Sequence, residues 1–349
     1  MTAIHEWARL GSNFPQLLAR TALIVVLGAW ALPGVAVSQV AQSEFRAGDP
    51  PYLDRPEVQA FIDEQVAGGL DREFLVALFA GVEPQQRILD LISSPAEARP
   101  WRDYRPIFVN DLRIERGREF QSEQAAWLER AEEAFGVDQA LIAAIIGVET
   151  NYGRNLGSFR VFDALVTLGF DYPPRQTFFR SELEHFLQLV QEEALDVRET
   201  RGSYAGAMGR GQFISSSYRA YAVDFNEDGR RDLINSWADA IGSVANYFRQ
   251  HGWQTDEPVV APARVEGTGY EALLGGGYQA RFSLEDLAAH GVHPAGPVAE
   301  DGYFSLIRLE GIDGPEFYLG YPNFYVITRY NRSPLYAMAV HELTEALRQ

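Results

Sequence analysis

The sequence contains no cysteine. That absence removes disulfide scaffolds, thiol nucleophiles, thiolate-held zinc, c-type haem attachment and lipid anchoring through an N-terminal cysteine. Basic side chains are in deficit, with 30 against 48 acidic ones in 349 residues, a net charge of −18 and no long basic run. Binding nucleic acid requires a cationic stripe that neutralises phosphates, so no nucleic-acid partner is expected. His185, His251, His290, His293 and His341 show no HExxH or other ligand spacing, which argues against catalytic zinc. Neither a GKS/GKT phosphate loop nor a GxSxG serine elbow occurs, and no repeat or low-complexity tract points to a solenoid or propeller. What remains is a chain of globular composition, 46% hydrophobic and 22% charged, long enough for several subdomains.

The first forty residues read as an export signal. Arg9 and Arg20 precede an apolar run from Ala22 through Val37, and Ala36-Val37-Ser38 offers the small residues a signal peptidase reads. A buried helix or an uncleaved anchor is the alternative, weakened by Pro33 and Gly34. The expected plan is a signal over residues 1–38, a helical region over 39–100 and a catalytic core over 101–255. A small β-containing subdomain over 256–329 and a C-terminal helix over 330–349 follow. Helical spacing is found around Val58 to Val66, Arg72 to Ala80, Gln85 to Ile92 and Ser122 to Gly136, with a further helix over Gln139 to Val148 capped by Asp138. Ser181 and Glu184 form a capping-box pattern ahead of Leu183, Phe186, Leu187 and Val190. Later helices are expected over Ser236 to Gln250 and Leu335 to Leu347. The runs Phe304 to Leu309 and Phe324 to Thr328, in a stretch rich in Gly and Pro, read as strands.

Three segments carry candidate chemistry. Glu149 is the only acidic or basic side chain between Asp138 and Arg154 apart from the Tyr152 phenol, at the end of the most apolar helix of the chain. Burial and the negative end of the helix dipole both disfavour its charged form, so its pKa should rise and make it a general acid. The alternative is a surface glutamate, or one paired with Arg154 or Arg160. The stretch Gly202 to Phe213 holds four glycines, as backbone brought close to a ligand or to protein would require. Asp224-Phe225-Asn226-Glu227-Asp228-Gly229-Arg230 matches the first half of a calcium loop, with oxygen donors at positions 1, 3 and 5, glycine at 6 and a carbonyl at 7. At position 12 it has Asn235 in place of glutamate, and the next carboxylate on the far arm, Asp239, stands at position 16. An acidic turn, with Asp239 serving Ser236 as a capping partner, is the other reading. Tyr330, Asn331 and Tyr336 cluster before and within the last helix, as residues that stack on and hydrogen-bond sugar rings do, although tyrosines more often serve packing.

Together, Gly147-Val148-Glu149-Thr150-Asn151-Tyr152-Gly153, the segment 202–213, the acidic loop followed by Asp239-Ala240-Ile241-Gly242-Ser243-Val244-Ala245-Asn246-Tyr247-Phe248, and Tyr321-Pro322-Asn323-Phe324-Tyr325 through Tyr336 resemble the lytic murein transglycosylase B family. The four motifs occur in the family's order over residues 50–349. The resemblance implies a mainly α (α+β) fold, with a lysozyme-like helical core, an EF-hand-like calcium loop over 224–239 and a small β-rich subdomain. It implies a lyase that cuts the β-1,4 bond between N-acetylmuramic acid and N-acetylglucosamine and leaves a 1,6-anhydro end. Glu149 would be the single acid/base. Tyr104, Ser203, Met208, Gln212, Tyr247, Tyr330, Asn331 and Tyr336 would line the glycan groove. Asp224, Asn226, Asp228, the Arg230 carbonyl and Asp239 would hold a structural Ca2+, with no organic cofactor. The implied partners are peptidoglycan glycan strands and, in the envelope, cell-wall synthesis proteins, with the protein a periplasmic monomer. One departure is Tyr172-Pro173-Pro174-Arg175, where the family tends to Tyr-Pro-Arg-Arg, which puts an arginine contact to the substrate in doubt.

Overall fold

Pro56, Pro322 and Pro334 each sit in the first turn of a helix, where a missing N–H breaks no intrahelical bond. A computed structural model describes residues 50–93 and 99–349, so the signal reading of residues 1–38 lies outside the described residues. The chain begins with α1 (Pro56–Ala67), α2 (Arg72–Phe79) and α3 (Gln86–Ile92), followed by α4 (Trp101–Phe108), α5 (Asp111–Glu123), α6 (Ala125–Phe135) and α7 (Gln139–Thr150). Next come β1 (Phe159–Arg160), α8 (Val161–Asp171), α9 (Gln176–Glu192), β2 (Arg201–Gly202), α10 (Ser215–Tyr221) and α11 (Trp237–Gln250). The smaller part holds β3 (Val260–Val265), α12 (Leu284–Ala289), β4 (Val292–Pro294), β5 (Ser305–Glu310) and β6 (Pro315–Gly320). The chain closes with α13 (Pro322–Tyr330) and α14 (Pro334–Arg348).

Every residue from Ala140 to Val148 is buried, so α7 is the central rod of the core, and α14, α5, α6 and α11 pack around it. The N-terminal helices are joined to α8 by edge-on contacts among Phe61, Phe79, Phe162 and Phe170, and by the Arg55–Asp171 ion pair. The four-stranded antiparallel sheet has the order β4-β3-β6-β5. Its edge strand β5 sends side chains into two cores, with Arg308 exposed between them. Leu306 joins a small core with Leu273, Leu287, Val292, Phe304 and Leu319, while Ile307 and Leu309 point into the main core. Asn323 fastens this sheet to the helices: its side chain donates to the carbonyls of Gln254 (2.8 Å) and Glu257 (2.9 Å) and accepts the Gln254 amide (2.9 Å). Among the described residues no helix is long and apolar enough to cross a membrane.

Three local expectations are corrected. Phe324 to Thr328 is helical, within α13, because Pro322 starts a turn and Phe324, Val326 and Ile327 all face the core. The pattern from Ser122 to Gly136 is broken at Gln124, which closes α5 and opens α6. Ser181 lies inside α9, which begins five residues earlier, so no capping box forms there. The α9 side chains that face the core continue back to Phe179, and packing overrides the local cap signal.

Candidate active site

Glu149 is the penultimate residue of α7. Asp138 starts that helix by accepting the amides of Ala140 (2.8 Å) and Leu141 (3.1 Å), and the end is unusual: Asn151, Tyr152 and Gly153 are all left-handed, with φ of 51°, 57° and 74°. Two successive non-glycine residues in that region are strained and must be held by their surroundings. The Asn151 amide returns to the Gly147 carbonyl (3.0 Å). Thr150 Oγ1 donates to the Arg210 carbonyl (2.9 Å) and accepts the Gly153 amide (3.0 Å), which ties the turn to the glycine-rich segment. Tyr152 folds back beneath the helix, where a Cβ on Gly147 would lie 2.6 Å from its ring, so only glycine fits at that position. Arg113, from α5, donates to the Gly147 carbonyl. Thr150 and Arg113 were not singled out from sequence, since an ordinary threonine and arginine give no signal of a contact made across the fold. Thr150→Val should lower stability by about 1–2 kcal/mol, because the half-buried Arg210 carbonyl and Gly153 amide both lose a partner. Denaturant midpoints measure this, and an unchanged midpoint would count against the clamp.

The last helix brings Tyr336 to this point. Its hydroxyl donates to Glu149 Oε1 at 2.6 Å. Burial pushes the Glu149 carboxyl up to about 8, and the Tyr336 hydrogen bond opposes part of that rise. The residue as a whole retains some solvent contact, as a group that meets a substrate must, although its carboxyl is densely surrounded. Among the described residues no ion pair involves Glu149: Arg154 faces Glu119 (3.9 Å) and Arg160 pairs with Asp163 (2.7 Å). Both arginine partners raised as alternatives are therefore committed elsewhere. Tyr330 and Tyr336 are held well above the ordinary phenol value, by burial first and then by the Glu149 charge.

Around this pair the structure gathers part of the expected lining. Tyr330 and Tyr336 stack with centroids 6.5 Å apart, Tyr247 meets Tyr330 edge-on at 4.8 Å, and Tyr104 packs on Trp101 and Phe108 beside Tyr336. The segment 202–213 is a tight hairpin built on its own hydrogen bonds. Ser203 Oγ accepts the amides of Ala205 (3.2 Å) and Ala207 (3.0 Å), and Met208 and Phe213 exchange backbone bonds. Tyr330 donates to the Gly211 carbonyl, Tyr247 to the Arg329 carbonyl (2.6 Å), and Asn331 Oδ1 accepts the Ser333 amide (3.0 Å). Ser203, Met208 and Asn331 are thus buried in the walls. Gln212, at φ 52°, donates to the Gly209 (2.8 Å) and Leu156 (3.3 Å) carbonyls, and its buried Oε1 has no partner among the described residues.

The acidic loop is shaped by carboxylate–amide bonds. The Asp228 amide donates to Asp224 Oδ1 (3.0 Å) and Asn226 Oδ1 (3.2 Å), and the Gly229 amide to Asp224 Oδ2 (2.7 Å). Asp239, fully buried, lies under the loop and accepts the amides of Phe225 (2.8 Å), Asn226 (3.3 Å) and Asp232 (2.9 Å). The Ser236 side chain caps α11 through the Asp239 amide (3.2 Å), but the Asp239 carboxylate serves the loop. No ion pair among the described residues neutralises Asp224, Asp228 or Asp239, whereas Glu227 is taken by Arg130 (2.7 Å). Among the described residues no three His, Cys, Asp or Glu side chains form a metal cluster by themselves, so a cation here would also need the Asn226 amide oxygen and the Arg230 carbonyl. An all-oxygen set of this kind, with uncompensated negative charge, fits Ca2+.

Residues 54–345 match the transglycosylase SLT domain family. The chain is 40% identical over 309 residues to the membrane-bound lytic murein transglycosylase B of Escherichia coli (strain K12), covering 85% of this chain and 84% of that one. Among solved structures, the soluble lytic transglycosylase SltB1 of Pseudomonas aeruginosa is 49% identical with a TM-score of 0.78, covering 84% of this chain and 98% of its own. The Escherichia coli lytic transglycosylase Slt35 in complex with calcium is 40% identical with a TM-score of 0.78, covering 85% and 94%. SltB3 of Pseudomonas aeruginosa in complex with NAG-anhNAM-pentapeptide is 31% identical with a TM-score of 0.72, covering 83% and 78%.

Proposed function

The chain belongs to the lytic murein transglycosylase B family and is a peptidoglycan lytic transglycosylase, and we propose that Glu149 is its single acid and base. The observation that carries this reading is a carboxyl pushed up to about 8 by burial, with no ion pair among the described residues and one oxygen held by Tyr336. At neutral pH Glu149 is protonated. Tyr336 occupies Oε1, which leaves Oε2 to carry the proton toward the glycosidic oxygen between N-acetylmuramic acid and N-acetylglucosamine. As that bond breaks and positive charge develops at C1, the new carboxylate takes the proton of the muramic acid C6 hydroxyl, whose oxygen closes on C1. The leaving sugar keeps the first proton, Glu149 regains one, and the product ends in a 1,6-anhydro ring. Asp163, the other carboxylate of this region, is committed to Arg160, which supports a one-carboxylate route over a hydrolase pair. Weighing the muropeptides released from purified sacculi tests the reading: anhydro ends are expected, and reducing ends would replace it with hydrolysis.

The substrate groove in this reading runs over Tyr104, Tyr247, Tyr330 and Tyr336, with Gln212 Oε1 as an available acceptor and with Ser203, Met208 and Asn331 shaping its walls. Asp224, Asn226, Asp228, the Arg230 carbonyl and Asp239 would hold Ca2+, with Asp239 closing the loop from beneath. The ion would fix the loop, and the chemistry would stay with Glu149. The relative crystallised with calcium supports this assignment. Export to the periplasm accords with the charge-then-apolar order of the first 38 residues.

Activity should fall on the alkaline side as Glu149 loses its proton, with a limb near pH 8. The Tyr336 bond lowers the Glu149 pKa, so Tyr336→Phe should move that limb to higher pH as well as slowing turnover. A pH–rate profile of the variant with the limb unmoved or lower would refute the coupling.

A further inference from the structure

The strained turn that follows Glu149 is tied to the glycine-rich hairpin through Thr150. On the α5 side it meets Arg113, a half-buried cation without an anion. This guanidinium enters no ion pair among the described residues, and its Nε, shut off from solvent, has no hydrogen-bond partner among them. Burial lowers Arg113 from the ordinary guanidinium value, the Tyr152 phenol opposes that fall and Arg116 adds to it. A charge taken out of water with no counter-ion is costly, so stability alone is a poor account of this residue.

What the charge meets instead is backbone at the ends of two helices. One terminal nitrogen donates to the Gly147 carbonyl, the same oxygen that accepts the Asn151 amide and so anchors the left-handed turn. The other donates to the Ile107 carbonyl (3.4 Å). Gly147 lies in the last turn of α7 and Ile107 in the last turn of α4, so Arg113 sits between the negative ends of two helix dipoles. They stand in for a carboxylate. The two helices bring different parts of the site: α7 carries Glu149, and α4 carries Tyr104. Phe108 links Tyr104 to the same cation, with its ring 5.0 Å from the Tyr104 ring and 5.4 Å from the Arg113 guanidinium carbon. A planar guanidinium can hold two separate acceptors in a fixed relation, which an ammonium, as a point donor, cannot.

We infer that Arg113 is a positioning residue for the reaction: by bridging the ends of α4 and α7 it fixes the Glu149 carboxyl relative to the Tyr104 wall of the groove. The inference rests on Glu149 as the acid and base. Proton transfer to a bound glycan depends steeply on that placement, whereas the tyrosines can still hold the sugar when the acid is displaced. Arg113→Lys keeps the charge and loses the span. Assayed where it is fully folded, it should lower kcat about tenfold while KM on glycan strands stays within about twofold of wild type. Arg113→Met, which loses both bonds, should melt lower and turn over more slowly still. If Arg113 served stability alone, the folded lysine variant would turn over at the wild-type rate. That result, or a loss carried by KM with kcat unchanged, would overturn the inference. Measuring Glu149→Gln alongside separates the two readings. An inactive Glu149→Gln beside a fully active Arg113→Lys rejects the role of Arg113 alone, whereas near-normal turnover of Glu149→Gln rejects the acid on which that role rests.

Discussion

Glu149→Gln keeps the fold and lowers turnover by about 10²- to 10⁴-fold, the usual worth of general acid–base assistance. The amide is nearly isosteric and can still accept the Tyr336 hydroxyl, so the stacked pair of Tyr330 and Tyr336 stays in place. It cannot give up a proton and take one back. Anhydro-muropeptide release by wild type and variant measures the difference, and near-normal turnover would assign the acid to another residue. The same substitution has a signature in stability. A carboxyl with a folded pKa raised to about 8 from an ordinary 4.5 favours folding fully below about pH 4.5, and that contribution is lost as pH rises through 8. The glutamine variant lacks this titration, so its stability should fall less than that of wild type between pH 5 and 9. Parallel curves would mean that Glu149 ionises as it does in the unfolded chain.

Calcium should raise the melting temperature by several degrees. Asp224, Asp228 and Asp239 place three formal negative charges in and beneath one loop and enter no ion pair among the described residues, and without a cation their repulsion opposes closure of the loop on α11. A ligand that binds only the folded chain adds RT ln(1 + [L]/Kd), about 2.7 kcal/mol at a hundredfold excess over Kd. Magnesium should do much less, since its small octahedral shell suits a loop extended to position 16 poorly. Asp228→Ala should remove the calcium response, whereas Asp239→Ala should destabilise even the metal-free protein, because it strands three loop amides. Thermal unfolding of chelated protein with added calcium decides the matter. Identical melting of wild type and Asp228→Ala under both conditions would leave the loop as an acidic turn. Activity at moderate temperature should respond weakly to chelation, as Glu149 lies on a different helix.

Short-range physics made much of this protein legible in advance. An apolar run from Ala140 to Val148 that ends in one carboxylate can only be a buried helix delivering that group to its end, and the Asp138 cap and the calcium-type spacing from Asp224 are likewise local relations. The absence of cysteine and the acidic balance excluded whole classes of chemistry before any fold was considered. Side-chain partners far apart in the chain were not legible. Tyr336 meets Glu149 across 187 residues, Thr150 meets Arg210 across 60, and nothing in local spacing records either contact. The helix at Phe324 read as a strand because aromatic and β-branched residues favour strands until packing on the core outweighs that preference. Tertiary structure also divided the glycine-rich segment between roles, burying Ser203 and Met208 in its walls while leaving the Gln212 oxygen without a partner among the described residues. Sequence determined which residues carry charge and where helices bury it, because those follow from burial and periodicity. Which hydroxyl holds the acid, and which carbonyl anchors the turn behind it, was decided only when distant segments met.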